Sequence, residues 1–201
     1  MDAEPQVYIV DDDEAVRDAL ELLLESVKLS HRSFENADDF LAKYNECNPG
    51  CLVLDIRMPG TNGLELQQKL KQRNIDIPII FMSGHGDIPM AVETMSRGAV
   101  YFFRKPFREQ ELLDRIKQAL EIDRCARLTA ASRNNLQQRL ASLTSREKQV
   151  FDQVTAGISN KVIAANLHIS ERTVEVHRSR VMKKLTAATL ADLIRMRIEH
   201  E

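Results

Sequence analysis

The 201-residue chain has a globular composition, with 43% apolar and 29% charged residues and a formal net charge of −2. It contains no run of 18 apolar residues and its N-terminus is acidic, so we expect a soluble, cytoplasmic protein without a membrane span or a secretory signal. The three cysteines, Cys47, Cys51 and Cys125, form no even framework, and Cys47 and Cys51 have no histidine close by in sequence to complete a metal site, so we expect reduced thiols.

Charge is unevenly distributed along the chain. Residues 1–120 carry 14 Lys and Arg against 21 Asp and Glu, whereas residues 121–201 carry 14 against 9. Such asymmetry indicates an acidic module joined to one that favours polyanions. Ordinary domains also differ by a few charges, so the asymmetry needs support from motifs.

Through residue 120, apolar runs of strand length alternate with amphipathic segments of helix length. This alternation is typical of a parallel sheet covered by helices on both faces. The predicted strands are 7–10, 30–34, 51–54, 79–82 and 100–103, and the predicted helices are 14–27, 37–44, 63–73, 89–97 and 109–120. Five repeats of strand then helix predict a doubly wound, flavodoxin-like α/β domain with right-handed crossovers.

The strand pattern is absent from the rest of the chain. Residues 121–143 contain neither Gly nor Pro and lack a continuous apolar seam, so we favour a helical connector over a loose tether or a coiled coil. Short helices are then predicted at 145–156, 160–167, 171–185 and 190–198. The predicted domains are therefore 1–120, a helical linker at 121–140 and an all-α domain at 141–201.

Polar residues follow four of the five predicted strands where each strand ends. In an open parallel sheet these ends share one edge, where ligands bind near the reversal of strand order. The residues are Asp11, Asp12 and Asp13 after the first strand, Asp55 after the third, Ser83 after the fourth and Lys105 after the fifth. Crowded carboxylates need a counter-charge. A lysine ammonium together with Mg²⁺, which prefers oxygen ligands, would supply it.

An aspartate in such a site can act as a nucleophile toward phosphorus when charge on the transferring group is neutralised. Asp55 is the best-placed nucleophile. A simpler interpretation is that residues 11–13 form a solvated turn that caps the first helix. We favour capping for Asp13 and metal binding for Asp11 and Asp12.

Four sequence words, IVDDDEAVR, LVLDIRMPG, IIFMSGHGD and FFRKPF, occur in this order. Together they resemble the receiver domain of two-component response regulators over residues 6–120. The resemblance implies that a sensor histidine kinase phosphorylates Asp55. It also implies Lys105 as the phosphate partner, Ser83 and Phe102 as switch residues, a cis peptide bond between Lys105 and Pro106, and Mg²⁺ held by Asp12, Asp55 and the Arg57 backbone carbonyl, with Asp11 acting through water.

The switch residues depart from the broadest form of the family pattern. A serine stands at position 83 where threonine is frequent, and Phe102 lacks the hydroxyl group of a tyrosine although Tyr101 is adjacent. The phosphorylation chemistry is unaffected. How tightly Phe102 follows phosphorylation, and whether Tyr101 faces solvent on the output surface, stay open at this point.

The C-terminal part contains a helix–turn–helix pattern. The helix at 160–167 is followed by a short turn and by the helix at 171–185, whose start is marked by the N-cap Ser170. Val174, Val181 and Leu185 predict one buried face. The opposite face collects Arg172, Val176, Ser179 and Lys183, flanked by Arg180 and Lys184. A basic helix face can be only a solvated face, but the turn spacing and the outward valine favour contact with DNA.

Residues 143–198 resemble the four-helix DNA-binding domain of the LuxR/FixJ type, most clearly in the words LTSREKQV and ERTVEVH. The resemblance implies backbone contacts from Lys161, Arg172, Thr173, Arg180 and Lys183 and base contacts from Glu175, Val176 and Ser179. A carboxylate at position 175 repels phosphate but can accept from cytosine N4, so we expect it to tune sequence choice.

The two resemblances predict a transcriptional response regulator of a two-component phosphorelay that is not an enzyme. Phosphorylation of Asp55 adds charge. It is expected to expose the surface of the fourth helix, fifth strand and fifth helix for a symmetric dimer. The dimer would bind promoter half-sites about 34–36 Å apart. RNA polymerase is a further expected partner, and a membrane is not.

Two other interpretations use the same residues. An aspartyl-phosphate phosphohydrolase would share the nucleophile and Mg²⁺, but such enzymes commonly have a second carboxylate two residues later, where this chain has Arg57. A phosphorylated protein-binding module without a DNA role would be favoured if residues 141–201 showed no salt-dependent DNA binding.

Overall fold

The computed structural model describes residues 4–84 and 88–200, within which five strands and nine helices form. The strands are β1 Gln6–Val10, β2 His31–Phe34, β3 Gly50–Asp55, β4 Ile79–Ser83 and β5 Tyr101–Arg104. The helices are α1 Glu14–Ser26, α2 Ala37–Lys43, α3 Gly63–Gln72, α4 Ile88–Ser96, α5 Glu109–Ala141, α6 Ser145–Thr155, α7 Asn160–Leu167, α8 Glu171–Leu185 and α9 Leu190–His200. The chain divides into two compact units, one ending at Arg127 and the other beginning at Leu128.

The first unit is built on a parallel sheet with the strand order β2-β1-β3-β4-β5. The order reverses between β1 and β3, which pair with Val10 opposite Leu54. Because the strands are parallel, the residues that follow β1, β3, β4 and β5 lie along one edge. This arrangement confirms the predicted doubly wound α/β fold.

Side chains of alternate strand residues fill two apolar cores, one on each face of the sheet, because successive residues of a strand point to opposite sides. Tyr8, Leu52 and Phe81 belong to the core that includes residues of α2 and α3. The core on the other face includes residues of α1 and α5 and is reached by Ile9, Val53, Ile80 and Met82. The sheet is therefore buried on both faces, as its nearly continuous apolar strands predict.

Helix α3 begins close to the end of β3. Asn62 and Glu65 form a capping box at its N-terminus, with bonds of 2.9 and 3.2 Å to each other's backbone N–H groups. A side chain at Gly63 would place its Cβ 2.5 Å from the carbonyl oxygen of Asp55, so glycine permits this close approach. The local sequence thus holds α3 directly against the strand end that carries Asp55.

Helix α5 continues to Ala141, which confirms the predicted helical connector, while the domain boundaries at 120 and 140 remain a prediction. Within the first unit, the buried Asp123 accepts hydrogen bonds from the Gly50 N–H at 2.9 Å and from Arg127 Nε at 2.7 Å. The other two guanidinium nitrogens of Arg127 donate to the carbonyls of Glu46 at 2.8 Å and Asn48 at 2.9 Å. We call Asp123, Arg127 and these three backbone partners the linker clasp.

The second unit has its own apolar core, formed by residues of α6, α7, α8 and α9. Its buried members include Val150, Ile163, Val174, Val181 and Leu185. The predicted boundaries of these helices agree with the structure to within two residues. Among the described residues, no helix combines the length and the apolar character that crossing a bilayer would require.

Candidate functional site

Three side chains meet at the carboxyl edge of the sheet. The Nζ atom of Lys105 donates hydrogen bonds to Asp11 Oδ2 at 2.7 Å and to Asp55 Oδ1 at 2.8 Å. Asp11 is 1% exposed and Asp55 is 6% exposed, so both carboxylates depend on this ammonium group for compensation. Lys105 is itself held by a 2.8 Å hydrogen bond from its backbone N–H to the carbonyl of Ser83.

The electrostatic balance of this cluster leaves an excess of negative charge. Burial raises the pKa of Asp11, although the hydrogen bond and charge of Lys105 oppose this rise. Burial lowers the pKa of Lys105, but its hydrogen bonds to Asp11 and Asp55 outweigh burial and raise the pKa above the ordinary value. Lys105 therefore remains charged at neutral pH and neutralises one of its two carboxylate partners.

The neighbouring predicted residues take different positions. Asp13 is the N-cap of α1 and its side chain accepts from the Ala15 N–H at 2.9 Å, so its predicted capping role is confirmed. Asp12 is exposed. Arg57 is also exposed, and its backbone N–H donates to Asp55 Oδ2 at 2.7 Å.

The predicted switch residues lie on β4, which pairs with β3, and on β5, the next strand along the sheet. Ser83 ends β4 and is 1% exposed. Phe102 is half-buried on β5 and packs against the core that contains Phe81. Tyr101 points to the opposite face, where its ring lies against Phe103 and under the guanidinium group of Arg115 at 4.4 Å, so it is partly covered rather than free in solvent.

The donor set at this edge fits a magnesium ion. In the described part of the chain, no three His, Cys, Asp or Glu side chains lie close enough to form a metal-binding group by themselves. Mg²⁺ needs only one or two carboxylates, because waters and carbonyl oxygens complete its octahedron. The buried Asp11 and Asp55 already converge on one cation, the Lys105 ammonium.

One contact at this edge was missed from the sequence. Arg17 Nη1 on α1 donates to the backbone carbonyl of Asp11 at 2.8 Å and so fixes the turn that presents the carboxylate. Its spacing, six residues after Asp11 and at the fourth residue of α1, is compatible with this contact but does not predict it.

In the second unit, α7 and α8 form the predicted helix–turn–helix. Helix α7 ends at Leu167, and its C-cap residue His168 adopts the left-handed conformation, with φ +53°, and turns the chain. The Ser170 side chain caps α8 by accepting from the Thr173 N–H at 3.1 Å. The predicted buried face is confirmed, because Val174, Val181 and Leu185 are at most 1% exposed.

The predicted DNA-contacting residues are displayed as expected, with one difference. Thr173 is half-buried and its hydroxyl shares a 2.8 Å hydrogen bond with the Ser170 hydroxyl, so it contributes to the cap. The remaining residues are exposed and comprise Lys161 on α7 and Arg172, Glu175, Val176, Ser179, Arg180 and Lys183 on α8.

A partly buried ion pair joins α8 to α6. Lys184 Nζ lies 2.7 Å from Oε2 of Glu147, and it also donates to the carbonyl of Ser142 at 2.9 Å. Glu147 forms a capping box with Thr144, a motif that Thr-Ser-Arg-Glu at 144–147 would have predicted. Lys184, which the sequence places only at the flank of the exposed face, is a partner that periodicity does not identify.

Comparison with known proteins assigns a family to each of the two parts of the chain. Residues 7–117 match the response regulator receiver domain, and residues 141–197 match the luxR family of bacterial regulatory proteins. The chain therefore belongs to the response regulators that join a receiver domain to a LuxR-type DNA-binding domain.

Its relatives match over nearly the whole chain. The response regulator protein TodT of Pseudomonas putida is 47% identical over 94% of this chain and 84% of its own length. The transcriptional regulatory protein FixJ of Bradyrhizobium diazoefficiens is 41% identical over 98% of this chain and 96% of its own length. The structure of the response regulator StyR has a TM-score of 0.92 and 44% identity, covering 98% of this chain and 100% of StyR.

These findings establish the general function. The chain is a response regulator homologous to the FixJ and TodT regulators of two-component systems. Its receiver domain implies a histidine kinase partner, and its helix–turn–helix domain implies DNA binding.

Proposed function

We propose that Asp55 is the phosphoacceptor and that a sensor histidine kinase is its donor. The observation that carries this proposal is the convergence of Lys105 Nζ on Asp11 and Asp55 at the carboxyl edge of the sheet. A carboxylate oxygen of Asp55 forms a bond to phosphorus, while the bond from phosphorus to the kinase imidazole breaks and its electron pair returns to the nitrogen. Lys105 neutralises charge on the transferring group.

Mg²⁺ is the cofactor of this transfer in our proposal. Asp12, Asp55 and the backbone carbonyl of Arg57 would hold the ion, with Asp11 acting through water. When bound, the ion would neutralise and orient the phosphoryl oxygens. The net negative charge left by two buried carboxylates and one ammonium group supports this assignment.

Phosphorylation acts as a switch in this proposal. The Ser83 hydroxyl turns toward the phosphoryl group, and Phe102 follows it inward. The surface of α4, β5 and α5 then forms a homodimer. Val92 and Met95 on α4 are 61% and 44% exposed, and such apolar side chains in the surface favour association with a second copy.

The dimer binds promoter DNA through α7 and α8. Lys161, Arg172, Thr173, Arg180 and Lys183 meet the phosphate backbone, and Glu175, Val176 and Ser179 approach base edges. Exposure of the α8 face supports these assignments, and Thr173 reaches phosphate from its capping position. Two half-sites about 34–36 Å apart would match two copies of the motif.

Further partners follow from this role. Bound at a promoter, the protein contacts RNA polymerase. It acts in the cytoplasm, where promoter DNA is available. We propose that it turns over no phosphate ester and is not an enzyme, since position 57 is an exposed arginine rather than a second carboxylate.

Phosphorylation is tested by intact mass. The full chain is incubated with acetyl phosphate and Mg²⁺, and we expect one phosphoryl group on the wild type and none on Asp55→Asn. Asp13→Asn is the matched control because it changes a nearby carboxylate that caps α1, and it should be phosphorylated normally. An equal gain in the wild type and Asp55→Asn, or no gain in either, would remove Asp55 from this role.

A further inference from the structure

A charged side chain in the middle of α8 is bonded to the start of α7. Arg178 Nη1 donates a hydrogen bond of 2.6 Å to Asn160 Oδ1 in a partly buried position. Arginine can only donate, so the amide oxygen of Asn160 is necessarily the acceptor. Asn160 is the first residue of α7, and the neighbouring Lys161 is one of the exposed cations of the helix–turn–helix.

Arg178 does not lie on the exposed face of α8. At about 100° per residue, its direction is about 40° from that of the buried Val174 and about 100° from that of Ser179. Its half-buried side chain therefore leaves the helix on the side that packs against the bundle. The guanidinium group of Arg178 therefore bonds α8 to α7 and does not belong to the exposed face of α8.

The hydrogen bond between Arg178 and Asn160 is directional, whereas the apolar contacts between α7 and α8 are not. Ile163 and Ala164 of α7 share an apolar core with Val174 of α8, but apolar contact is non-directional and allows small rotations. The N-cap of α7, Ser159, makes no side-chain capping hydrogen bond, so it does not fix the first turn by this means. The bond from Arg178 reaches that turn, and hydrogen bonds from a charged donor are the stronger ones.

We propose that Arg178 is a positioning residue for sequence recognition. Through Asn160 it holds the first turn of α7 at a fixed angle to α8, so that Lys161 meets phosphate in the register that brings Val176 and Ser179 to base edges. This proposal rests on the DNA-binding face proposed above. It assigns Arg178 to the geometry of that face and not to contact with DNA.

The test measures two quantities that separate positioning from direct contact. The full-length phosphorylated chain is titrated, over a range of salt concentrations, with a duplex that the wild type selects from a random library and with an unrelated duplex. Arg178→Met and Asn160→Leu should each lower the ratio of specific to non-specific affinity about tenfold. The double variant should lose no more than either single variant, because both remove one bond.

The salt dependence of non-specific binding is the second quantity. It should be unchanged in Arg178→Met, whereas the control Arg180→Met should lower the slope of log affinity against log salt by about 0.9 through loss of one phosphate contact. A similar fall in Arg178→Met, or an unchanged specificity ratio, would overturn the proposal. If Arg178→Met does not fold, Arg178→Lys answers the same question. This variant should lose part of the specificity ratio while the slope of log non-specific affinity against log salt stays that of the wild type.

Failure of the positioning role of Arg178 can be told apart from failure of the proposed DNA-binding face on which it rests. A wild type that selects no duplex and shows no salt-dependent binding would contradict the DNA-binding face, and the positioning role with it. A wild type that selects a duplex while both single variants retain its specificity would contradict the positioning role alone.

Discussion

The ammonium group of Lys184 lies 2.7 Å from a carboxylate oxygen of Glu147, and this pair ties α8 to α6 within the second unit. The hydrogen bond from Lys184 and the one from the Thr144 N–H hold the pKa of Glu147 down at about 2. Glu147 is 3% exposed and Lys184 is 35% exposed, so protonation would break a partly buried pair rather than a pair on the surface.

The stability of the second unit should therefore depend on pH in acid. The folded-state pKa of Glu147 lies below its unfolded value of about 4.5, so its contribution is present above pH 4.5 and is lost as the pH falls toward 2. We expect a loss of about 1–3 kcal/mol, reduced from the full linkage value because Lys184 is 35% exposed. Amide hydrogen exchange of α6 and α8 followed by NMR measures it. Glu147→Gln should remove this dependence and Glu171→Gln, an exposed first-turn residue, should keep it.

Removing the ammonium group of Lys105 should destabilise the receiver domain. Lys105→Met leaves Asp11 and Asp55 buried without their counter-charge, and we expect a loss of about 3 kcal/mol in the free energy of unfolding. The three tyrosines all lie before residue 102, so tyrosine fluorescence during urea unfolding reports this domain. Lys69→Met, which removes an exposed pair with Asp38, should change stability by less than about 1 kcal/mol. Equal losses in the two variants would contradict the buried-pair interpretation.

The exposed apolar residues of α4 should matter only after phosphorylation. Met95→Glu places a charge on the proposed dimer surface and should weaken the phosphorylated dimer at least tenfold, about 1.4 kcal/mol, without preventing phosphorylation. Analytical ultracentrifugation with and without acetyl phosphate gives the dimer dissociation constants. Leu22→Glu changes an apolar residue that is 67% exposed on α1 and should leave them unchanged. A phosphorylated dimer of normal affinity in Met95→Glu would locate the interface elsewhere.

Glu175 should set a base preference more than overall affinity. If its carboxylate accepts from a cytosine N4 group, Glu175→Gln should reduce the preference at one base pair by about 1–3 kcal/mol. Selection from a random duplex library, followed by sequencing, gives the preference at each position. Glu199→Gln, an exposed glutamate on α9, should select the same sequences as the wild type. An unchanged preference at every position in Glu175→Gln would show that the carboxylate reads no base.

The linker clasp should slow hydrogen exchange and proteolysis in the part of α5 that follows residue 120. Asp123→Ala leaves the Gly50 N–H and the Arg127 guanidinium without their shared acceptor, a cost of about 1–3 kcal/mol. Hydrogen exchange of residues 121–127 should become faster, as should tryptic cleavage there. Arg124→Ala is the control, because it removes an exposed ion pair with Glu121. It should leave the hydrogen-exchange rate of the Gly50 N–H, the group of β3 that is bonded to Asp123, unchanged. Protection of Gly50 that survives in Asp123→Ala would contradict the clasp.

Much of the fold follows from periodicity alone. Through residue 120, the alternation of apolar runs with amphipathic segments predicts each strand and the helices that cover them, because burial of both faces of the sheet leaves a strong pattern. The convergence of Asp11, Asp55 and Lys105 also follows, because parallel strand ends must share an edge.

The features that the sequence does not predict are polar contacts between residues far apart in the chain. Asp123 is a buried carboxylate whose acceptor role involves Gly50, 73 residues earlier, and no local spacing signals that pairing. Lys184 looks like a surface cation of a basic helix, yet it is bonded to Glu147 of α6. Periodicity places Arg178 beside the buried face of α8 but does not identify Asn160 as its partner. Thr144 and Glu147 differ, because their capping box is a local motif and could have been identified.

The capping box of α6 also bears on how such proteins diversify. Thr144 and Glu147 satisfy the first backbone donors of α6, and Glu147 is completed by Lys184, so all three partners come from the C-terminal unit. Recombination upstream of residue 144 would carry this network across intact. A chimaera that joins residues 141–201 to another receiver domain would therefore retain the capping box of α6 and its bond to Lys184. This segment can accordingly be transferred between receiver domains without loss of that network.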